Sequence, residues 1–328
     1  MHKIDVHTHC FPESFLREIA RVFPGVELRE PSGDRPLFAM WANAPLPAWD
    51  LERRVREMDA AGIEREVLSA PTVYDRMGPE TEALCQLLND EQVSACKAAP
   101  DRLSAFIQLP LHDLSAARKE LDRWIGCEHV VGVCLGTNAG GMYPGDPRMA
   151  PFWQWIDDAG LAVFVHPVKP CRCDMPIGPV LFQFPADSAI AAATMIYAGI
   201  PERHPTVPVI LSHYGGALPG LARRLDIVDH PHFPPRPGAP LPRPASEYVG
   251  WLYADTAQGF HAPGFACARA VFGDSHLLYG SDHFFHDSPW RGELNSFFDE
   301  QALSDDVRAA IYRENAERVL FGRGSRHA

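Results

Sequence analysis

The chain alternates short apolar segments with segments of helical periodicity, and this alternation constrains its fold more than any other feature. Strands are predicted near residues 4, 67, 105, 132, 163, 209, 253 and 278, with helical segments between them. Short apolar strands separated by helices are typical of parallel strands that are buried on both faces. Eight such units in 328 residues predict an α/β fold of the (β/α)8 (TIM) barrel type, with a doubly wound sheet as the alternative.

Two stretches depart from this pattern. A Gly/Pro-rich and aromatic region, at roughly 11–50, follows the first strand and predicts a small insertion or functional loop, because irregular connections of this length are uncommon. The Pro-rich run at 231–244 is incompatible with helix or central strand and predicts an excursion. Since no linker or internal repeat marks a second unit, we expect a single domain over residues 1–328.

Charge and composition exclude several classes of partner. The net charge of −12, without any run of Lys or Arg, argues against nucleic acid. We find no apolar stretch of bilayer-spanning length and no signal-peptide segment in residues 1–20, so we expect a cytoplasmic protein without a membrane partner. The eight cysteines show no disulfide-domain rhythm, as expected for a reducing compartment.

Candidate chemistry lies where predicted strands end. His7 and His9 alternate on the first strand and therefore share a face. His166, His213 and Asp282 follow three later strands, and in a barrel the carboxyl ends of all strands meet at one face. A single histidine at a strand end is usually a capping or core residue. Five such groups at matching ends favour a metal site.

The donor set indicates which ion would bind. Three imidazoles and a carboxylate suit one divalent ion, with Zn²⁺ preferred and Mn²⁺ possible, and we assign His7, His9, His166 and Asp282 as its ligands. Such an ion activates water or polarises a carboxylate. His213 precedes Tyr-Gly-Gly, where glycine permits a sharp turn, and it is the candidate general acid or base.

The same residues carry a family resemblance. The matching segments are residues 4–9, 56–63, 166–167, 213–219, 246–249 and 280–282. In this order they resemble the amidohydrolase superfamily, and more narrowly its decarboxylase branch typified by 2-amino-3-carboxymuconate 6-semialdehyde decarboxylase. The resemblance implies a (β/α)8 barrel, one divalent metal and a homodimer. It places His7, His9, His166 and Asp282 on the ligand positions and His213 on the catalytic histidine. Residues 133–136 lack the lysine of the binuclear members, which favours a single ion.

Substrate contacts are assigned by the same resemblance. Arg224 matches an arginine that reaches the neighbouring subunit's site and binds a substrate carboxylate, although Arg223 beside it leaves the choice open. Arg35 resembles a substrate-binding arginine of the insertion. His283 either lines the pocket or caps its loop. Val168 stands where the family's semialdehyde decarboxylases have Trp, so we expect a different substrate wall around a small anionic carboxylic acid.

These observations predict a metal-dependent, non-oxidative decarboxylase of an aromatic or unsaturated carboxylic acid. His213, with Asp282, would handle the proton that replaces CO2. The alternative is a metal-dependent hydrolase or hydratase acting on a small amide, ester, lactone or unsaturated acid through activated water. A non-catalytic metal-binding barrel is the third interpretation.

Overall fold

The computed structural model describes residues 2–33, 36–41, 44–71, 78–169, 179–229, 232, 240–257, 260–283 and 288–322. In chain order its strands are β1 (Lys3–His9), β2 (Glu27–Arg29), β3 (Phe38–Trp41), β4 (Ala44–Pro47), β5 (Ile63–Ser69), β6 (Leu103–Gln108), β7 (Val130–Gly136), β8 (Ala162–His166), β9 (Val209–Leu211), β10 (Leu252–Asp255) and β11 (Leu277–Leu278). Strands β1 and β5 to β11 form one parallel sheet in that order.

Hydrogen bonds between the first and last strands close this sheet into a barrel. The Val6 amide donates to the Tyr279 carbonyl at 3.0 Å, and the Asp282 amide donates to the His7 carbonyl at 2.9 Å. A parallel bridge joins Thr8 to His283 just beyond. The predicted (β/α)8 barrel is therefore confirmed.

Helices connect the strands on the outside of the barrel. They are α1 (Glu13–Val22), α2 (Leu51–Ala61), α3 (Glu80–Ala98), α4 (Leu114–Trp124), α5 (Ala150–Ala159), α6 (Pro179–Tyr197), α7 (Ile200–Arg203), α8 (Leu218–Leu221), α9 (Ala262–Phe272), α10 (Ser288–Glu300) and α11 (Asp305–Ala309). Shorter helical segments are Pro147–Met149, His213–Gly215, Ala222–Asp229, Ala245–Trp251, Asp274–His276, Ala310–Glu314 and Glu317–Phe321.

Two apolar cores explain why these elements form. Alternate residues of the barrel strands, among them Val6, Phe106 and Phe164, fill the interior, and Val319 and Leu320 of the C-terminal segment pack against them. The apolar faces of the outer helices pack on the other side of the sheet in a second cluster. Because each strand is apolar on both faces, burial on both sides favours the parallel arrangement.

The predicted insertion contains a small sheet. Strands β2, β3 and β4 pair in antiparallel fashion after α1. Leu37, Ala39 and Leu46 are buried in the main core, and the Trp49 amide donates to the Phe11 carbonyl at 2.9 Å, so this sheet is attached to the barrel. Most of the Pro-rich run at 231–244 lies outside the described residues.

Helix α6 has an unusual composition for an outer helix. Its Val180–Tyr197 segment is long and apolar enough to cross a membrane by length and composition, which the sequence analysis did not expect, and 39% of the segment is buried. Asp187 within it is buried and accepts hydrogen bonds from the Tyr143 hydroxyl, at 2.5 Å, and from the Thr137 hydroxyl. These bonds attach α6 to the loop that follows β7.

Glycine at position 132 is required by the close approach of β7 and β8. A Cβ atom there would lie 2.4 Å from the Ala162 carbonyl oxygen and 2.9 Å from the Phe106 ring. We expect Gly132→Ala to lower the free energy of unfolding by about 1–3 kcal/mol, because neither the backbone nor the packed ring has room to move. Urea unfolding measures this change. Gly220→Ala is the matched control, since its Cβ meets nothing within 4 Å, and an equal loss there would contradict the explanation.

Candidate metal centre

The barrel brings five strand-end side chains together. His9 Nε2 lies 2.9 Å and His7 Nε2 3.2 Å from Asp282 Oδ1, and His213 Nε2 lies 3.3 Å from Asp282 Oδ2. The His166 ring centre is 5.0 Å from those of both His7 and His9. Potential ligand atoms of His7, His166, His213 and Asp282 all lie within 4.8 Å of one another. These are the side chains that the sequence analysis assigned to the centre.

Hydrogen bonds on the far side of each ring set the tautomers. His166 Nδ1 donates to the Pro167 carbonyl at 2.7 Å, and His9 Nδ1 is 3.3 Å from the Ser69 hydroxyl, which itself donates to the Thr8 carbonyl. A proton on Nδ1 leaves the lone pair on Nε2, the atom that faces the centre.

His166 Nε2 provides the test of whether a metal fits. This atom is buried and has no hydrogen-bond partner among the described residues. A buried acceptor without a partner is rare in folded proteins, and a cation that accepts its lone pair would satisfy it. Together with the neighbouring imidazoles and carboxylate, this donor set fits a divalent ion.

Asp255 belongs to the site and was missed in the sequence analysis. His7 Nδ1 lies 2.7 Å from Asp255 Oδ2, with both side chains fully buried. The seventh strand was predicted near residue 253, two positions before this carboxylate, and the rule applied to the other strand ends would have found it. Orientation of a metal-binding imidazole by a carboxylate is a recurrent arrangement.

The backbone at the centre adopts conformations that non-glycine residues rarely use. His213, Tyr214 and Asp282 have φ angles of 57°, 56° and 58°. Such strain is found where the surrounding structure enforces it, often at functional sites. At Gly280 a Cβ would lie 2.9 Å from the Cβ atoms of both His7 and Asp255, so glycine permits the last strand to approach the centre.

In the metal-free centre, burial and neighbouring charges determine which side chains carry a proton. Burial lowers the pKa of His9 to about 4 and that of His166 well below its usual range. Burial also opposes the charge on His7, but Asp255 and Asp282 outweigh it and raise its pKa to about 10. Burial would raise the pKa of Asp282, yet the His7 charge and the hydrogen bonds from His213 and His7 keep it well below its usual range. His9 and His166 are therefore neutral and Asp282 is ionised.

A buried group of four charged side chains, Asp5, Arg54, Glu66 and Arg291, contacts the strand ends that carry the ligands. Arg54 donates to the His9 carbonyl and lies 3.2 Å from Glu66. Arg291 pairs with Glu66 and, at 3.2 Å, with Asp5. Asp5 Oδ1 in turn accepts from the His7 amide at 3.2 Å and from the amide of residue 281 at 3.0 Å. Two acids and two arginines thus balance one another while they fix the first and last strand ends.

The remaining predicted residues lie outside this cluster. His283 is 3% exposed, and its Nε2 lies 3.1 Å from Glu57 on α2, a contact of the kind expected if it caps the loop. Arg224 is exposed on the segment Ala222–Asp229, while its neighbour Arg223 donates to the Ser246 hydroxyl at 3.2 Å. Arg35 lies outside the described residues. Their roles at the substrate stay predictions.

Removing one cation from the buried group tests its importance. We expect Arg54→Met to lower the free energy of unfolding by about 3–5 kcal/mol, because Glu66 and the His9 carbonyl each lose a buried donor. Chemical unfolding monitored by circular dichroism measures the loss. Arg56→Met is the control on the same helix, because its side chain is 70% exposed and should change little. Equal stability of the two variants would contradict this account.

Metal uptake should depend on pH. Because metal-free His7 holds a proton up to a pKa of about 10, an ion that uses its Nε2 must displace that proton. Apparent metal affinity should therefore rise with pH between 6 and 8, by about tenfold per unit for each proton released. Calorimetry in two buffers of different ionisation enthalpy counts the protons. Uptake without proton release would count against His7 as a ligand.

Comparisons with known proteins agree with this geometry. The amidohydrolase family (Amidohydro_2) matches residues 4–322. Gamma-resorcylate decarboxylase from Rhizobium sp. (strain MTP-10005) is 29% identical over 297 residues, which cover 82% of this chain and 86% of that protein. The 2-amino-3-carboxymuconate-6-semialdehyde decarboxylase of Dictyostelium discoideum is 28% identical over 269 residues, covering 77% of this chain and 74% of that one.

A solved structure extends the likeness to the whole fold. The crystal structure of a 2,6-dihydroxybenzoate decarboxylase complexed with 2,6-dihydroxybenzoate aligns with a TM-score of 0.78 and 25% identity, over 98% of this chain and 99% of that chain. The resemblance stated from the sequence is confirmed, and the predicted enzyme class is the one that these relatives carry. The family and the cluster of histidines and aspartate support a divalent metal. The chain belongs to the amidohydrolase family.

Proposed function

We propose that the protein is a metal-dependent, non-oxidative decarboxylase of an aromatic carboxylic acid. The observation that carries the proposal is the convergence of His7, His9, His166 and Asp282 with His213 beside Asp282. Relatives that align over most of this chain are decarboxylases, and one of them acts on a dihydroxybenzoate.

The exposure of their side chains distinguishes the proposed ligands His7 and His9 from the proposed acid His213. The side chains of His7 and His9 are fully buried, whereas that of His213 is 20% exposed and can reach a substrate at the mouth of the barrel. We therefore assign His7, His9, His166 and Asp282 to an ion, with Zn²⁺ preferred for this nitrogen-rich set and Mn²⁺ as the alternative. A bound divalent ion would polarise and orient the substrate carboxylate or a neighbouring oxygen.

His213 supplies the proton that the reaction requires. Loss of CO2 breaks the bond between the ring carbon and the carboxylate carbon, and the electron pair left on the ring carbon must take up a proton. Protonated His213 Nε2 donates that proton, while ionised Asp282, whose Oδ2 is 3.3 Å away, stabilises the imidazolium before transfer. The products are CO2 and the arene, and solvent then restores the proton on His213.

We also propose a homodimer that places Arg224 at an interface. Val180, Leu181 and Phe182 on α6 are 65–66% exposed, and Leu221 on α8, which packs beside α6, is 43% exposed. Exposed apolar side chains on two adjacent helices favour association. Arg224 follows Leu221 and carries a guanidinium suited to a carboxylate. Arg35 and His283 are the other proposed substrate contacts for a small anionic acid.

Product analysis in heavy water tests the proposed reaction. Metal-loaded protein is incubated in D2O with a panel of hydroxybenzoates and carboxymuconate semialdehydes, and CO2 and product are measured. We expect CO2 from at least one acid, with one deuterium at the carbon that lost the carboxylate. In a parallel incubation in H2¹⁸O, labelled oxygen in the product without CO2 release would instead support the hydrolase or hydratase. No turnover on the panel by protein with an occupied metal site contradicts the proposal.

A histidine variant tests the acid role separately. We expect His213→Asn to keep its metal and to lose turnover by about 10²–10⁴-fold, because proton transfer then lacks a positioned donor. Elemental analysis and the CO2 assay measure the two properties on one sample. His112→Asn, an exposed histidine between β6 and α4, is the control. Normal turnover in His213→Asn would exclude this residue as the acid.

A further inference from the structure

Asp255 accepts hydrogen bonds both from His7, a predicted metal ligand, and from His213, the predicted acid. Its side chain is fully buried at the end of β10. Oδ2 accepts from His7 Nδ1 at 2.7 Å. Oδ1 accepts from the backbone amides of His213, at 2.8 Å, and Ala257, at 3.0 Å. One carboxylate therefore links a predicted ligand to the predicted proton donor.

On the His7 side, this contact fixes which nitrogen can bind an ion. A carboxylate oxygen only accepts, so His7 Nδ1 must carry the hydrogen, and Nε2 then has a lone pair for a metal. Outer contacts of this kind orient ligand imidazoles, and their loss typically costs 10–100-fold in metal affinity.

The Asp255 carboxylate also stabilises the strained turn at His213 and Tyr214. His213 and Tyr214 both have left-handed φ angles, which non-glycine residues adopt only when the surroundings enforce them. The bond from the His213 amide to Asp255 Oδ1 is one such constraint, and it places the ring next to Asp282. Gly280 lies directly against the Asp255 side chain, because a Cβ at residue 280 would be only 2.9 Å from Asp255 Cβ.

We propose that Asp255 is a positioning residue that couples metal affinity at His7 to the placement of His213. The inference rests on the proposed function for the meaning of these two roles. It requires residue 255 to have two oxygen atoms that accept hydrogen bonds, one from the His7 ring and one from the His213 backbone amide.

An amide at this position cannot serve both histidines. If its oxygen faces His7 Nδ1–H, its NH2 group faces the amide hydrogens of His213 and Ala257, and the turn loses its acceptor. If the amide is reversed, its NH2 group faces His7 Nδ1, the ring proton moves to Nε2, and the lone pair for an ion is lost. Asp255→Asn must therefore impair at least one side.

The experiment compares wild type with Asp255→Asn by two measurements that need no substrate. Competition with a chelating indicator gives Zn²⁺ affinity, and hydrogen–deuterium exchange of the peptide over residues 212–217 reports on the turn. A 10–100-fold loss of affinity, or a rise of about tenfold in exchange of the His213 amide, or both, supports the proposal. Wild-type Zn²⁺ affinity together with wild-type exchange of the His213 amide would overturn the proposal. Because neither measurement uses turnover, a failed decarboxylation assay leaves this test unaffected.

A matched control separates positioning from general destabilisation. Asp157 also bridges a histidine and a second donor, since it accepts from His204 Nδ1 at 3.0 Å and from the Thr206 hydroxyl at 2.9 Å, and it lies on α5, away from the centre. We expect Asp157→Asn to retain native metal affinity and exchange at 212–217. Equal losses in this control would overturn the proposal.

A second variant covers the case in which Asp255→Asn does not fold. Asp255→Glu keeps two accepting oxygens and the charge but displaces them by one methylene. We expect it to fold and to lose about threefold or more in Zn²⁺ affinity, or to exchange faster at 212–217, relative to Asp157→Glu. Unchanged values for both quantities would again overturn the inference.

Discussion

The candidate centre depends on the closure of the parallel barrel between its first and last strands. His9 and Asp282, separated by 273 positions in sequence, meet at 2.9 Å because backbone hydrogen bonds join β1 to the segment after β11. Parallel strands in a barrel direct all their carboxyl ends to one face. A closed sheet therefore converts five distant strand ends into one cluster, whereas an open sheet would leave the first and last strands at opposite edges.

The polar groups behind the ligands give this closure its geometry. Arg54 holds the His9 carbonyl, Arg291 holds Asp5, and Asp5 holds the amides at both strand ends. Buried ion pairs add little net stability compared with apolar packing, because desolvation offsets their attraction. Here they fix the orientation of the strand ends, because each arginine donates to a defined acceptor on β1, the strand that carries His7 and His9.

The fold and the histidine cluster could be predicted from the sequence for physical reasons. Buried parallel strands must be apolar, and polar residues at their carboxyl ends stand out against that background, as His166 and Asp282 do. Asp255 was missed because the rule for strand ends was not applied after the strand predicted near residue 253, and its contact with His7, 248 positions away, appears only in the folded chain. Arg54 lies in a charged helix whose pattern suggests a solvated surface, and only the packed structure shows that it is buried. Contacts of this kind depend on tertiary packing rather than on local pattern.

The joining of β1 to the segment after β11 also affects biosynthesis. During translation His7 and His9 emerge from the ribosome long before Asp282 and Arg291, so the nascent chain has no complete ion-binding cluster until the segment that carries Asp282 has been made. Contacts between residues this far apart in sequence slow folding, because loop-closure entropy is lost before the contacts form. A complete ion-binding cluster therefore requires the segment that carries Asp282, and a polypeptide that stopped before it would expose two histidines without their carboxylate.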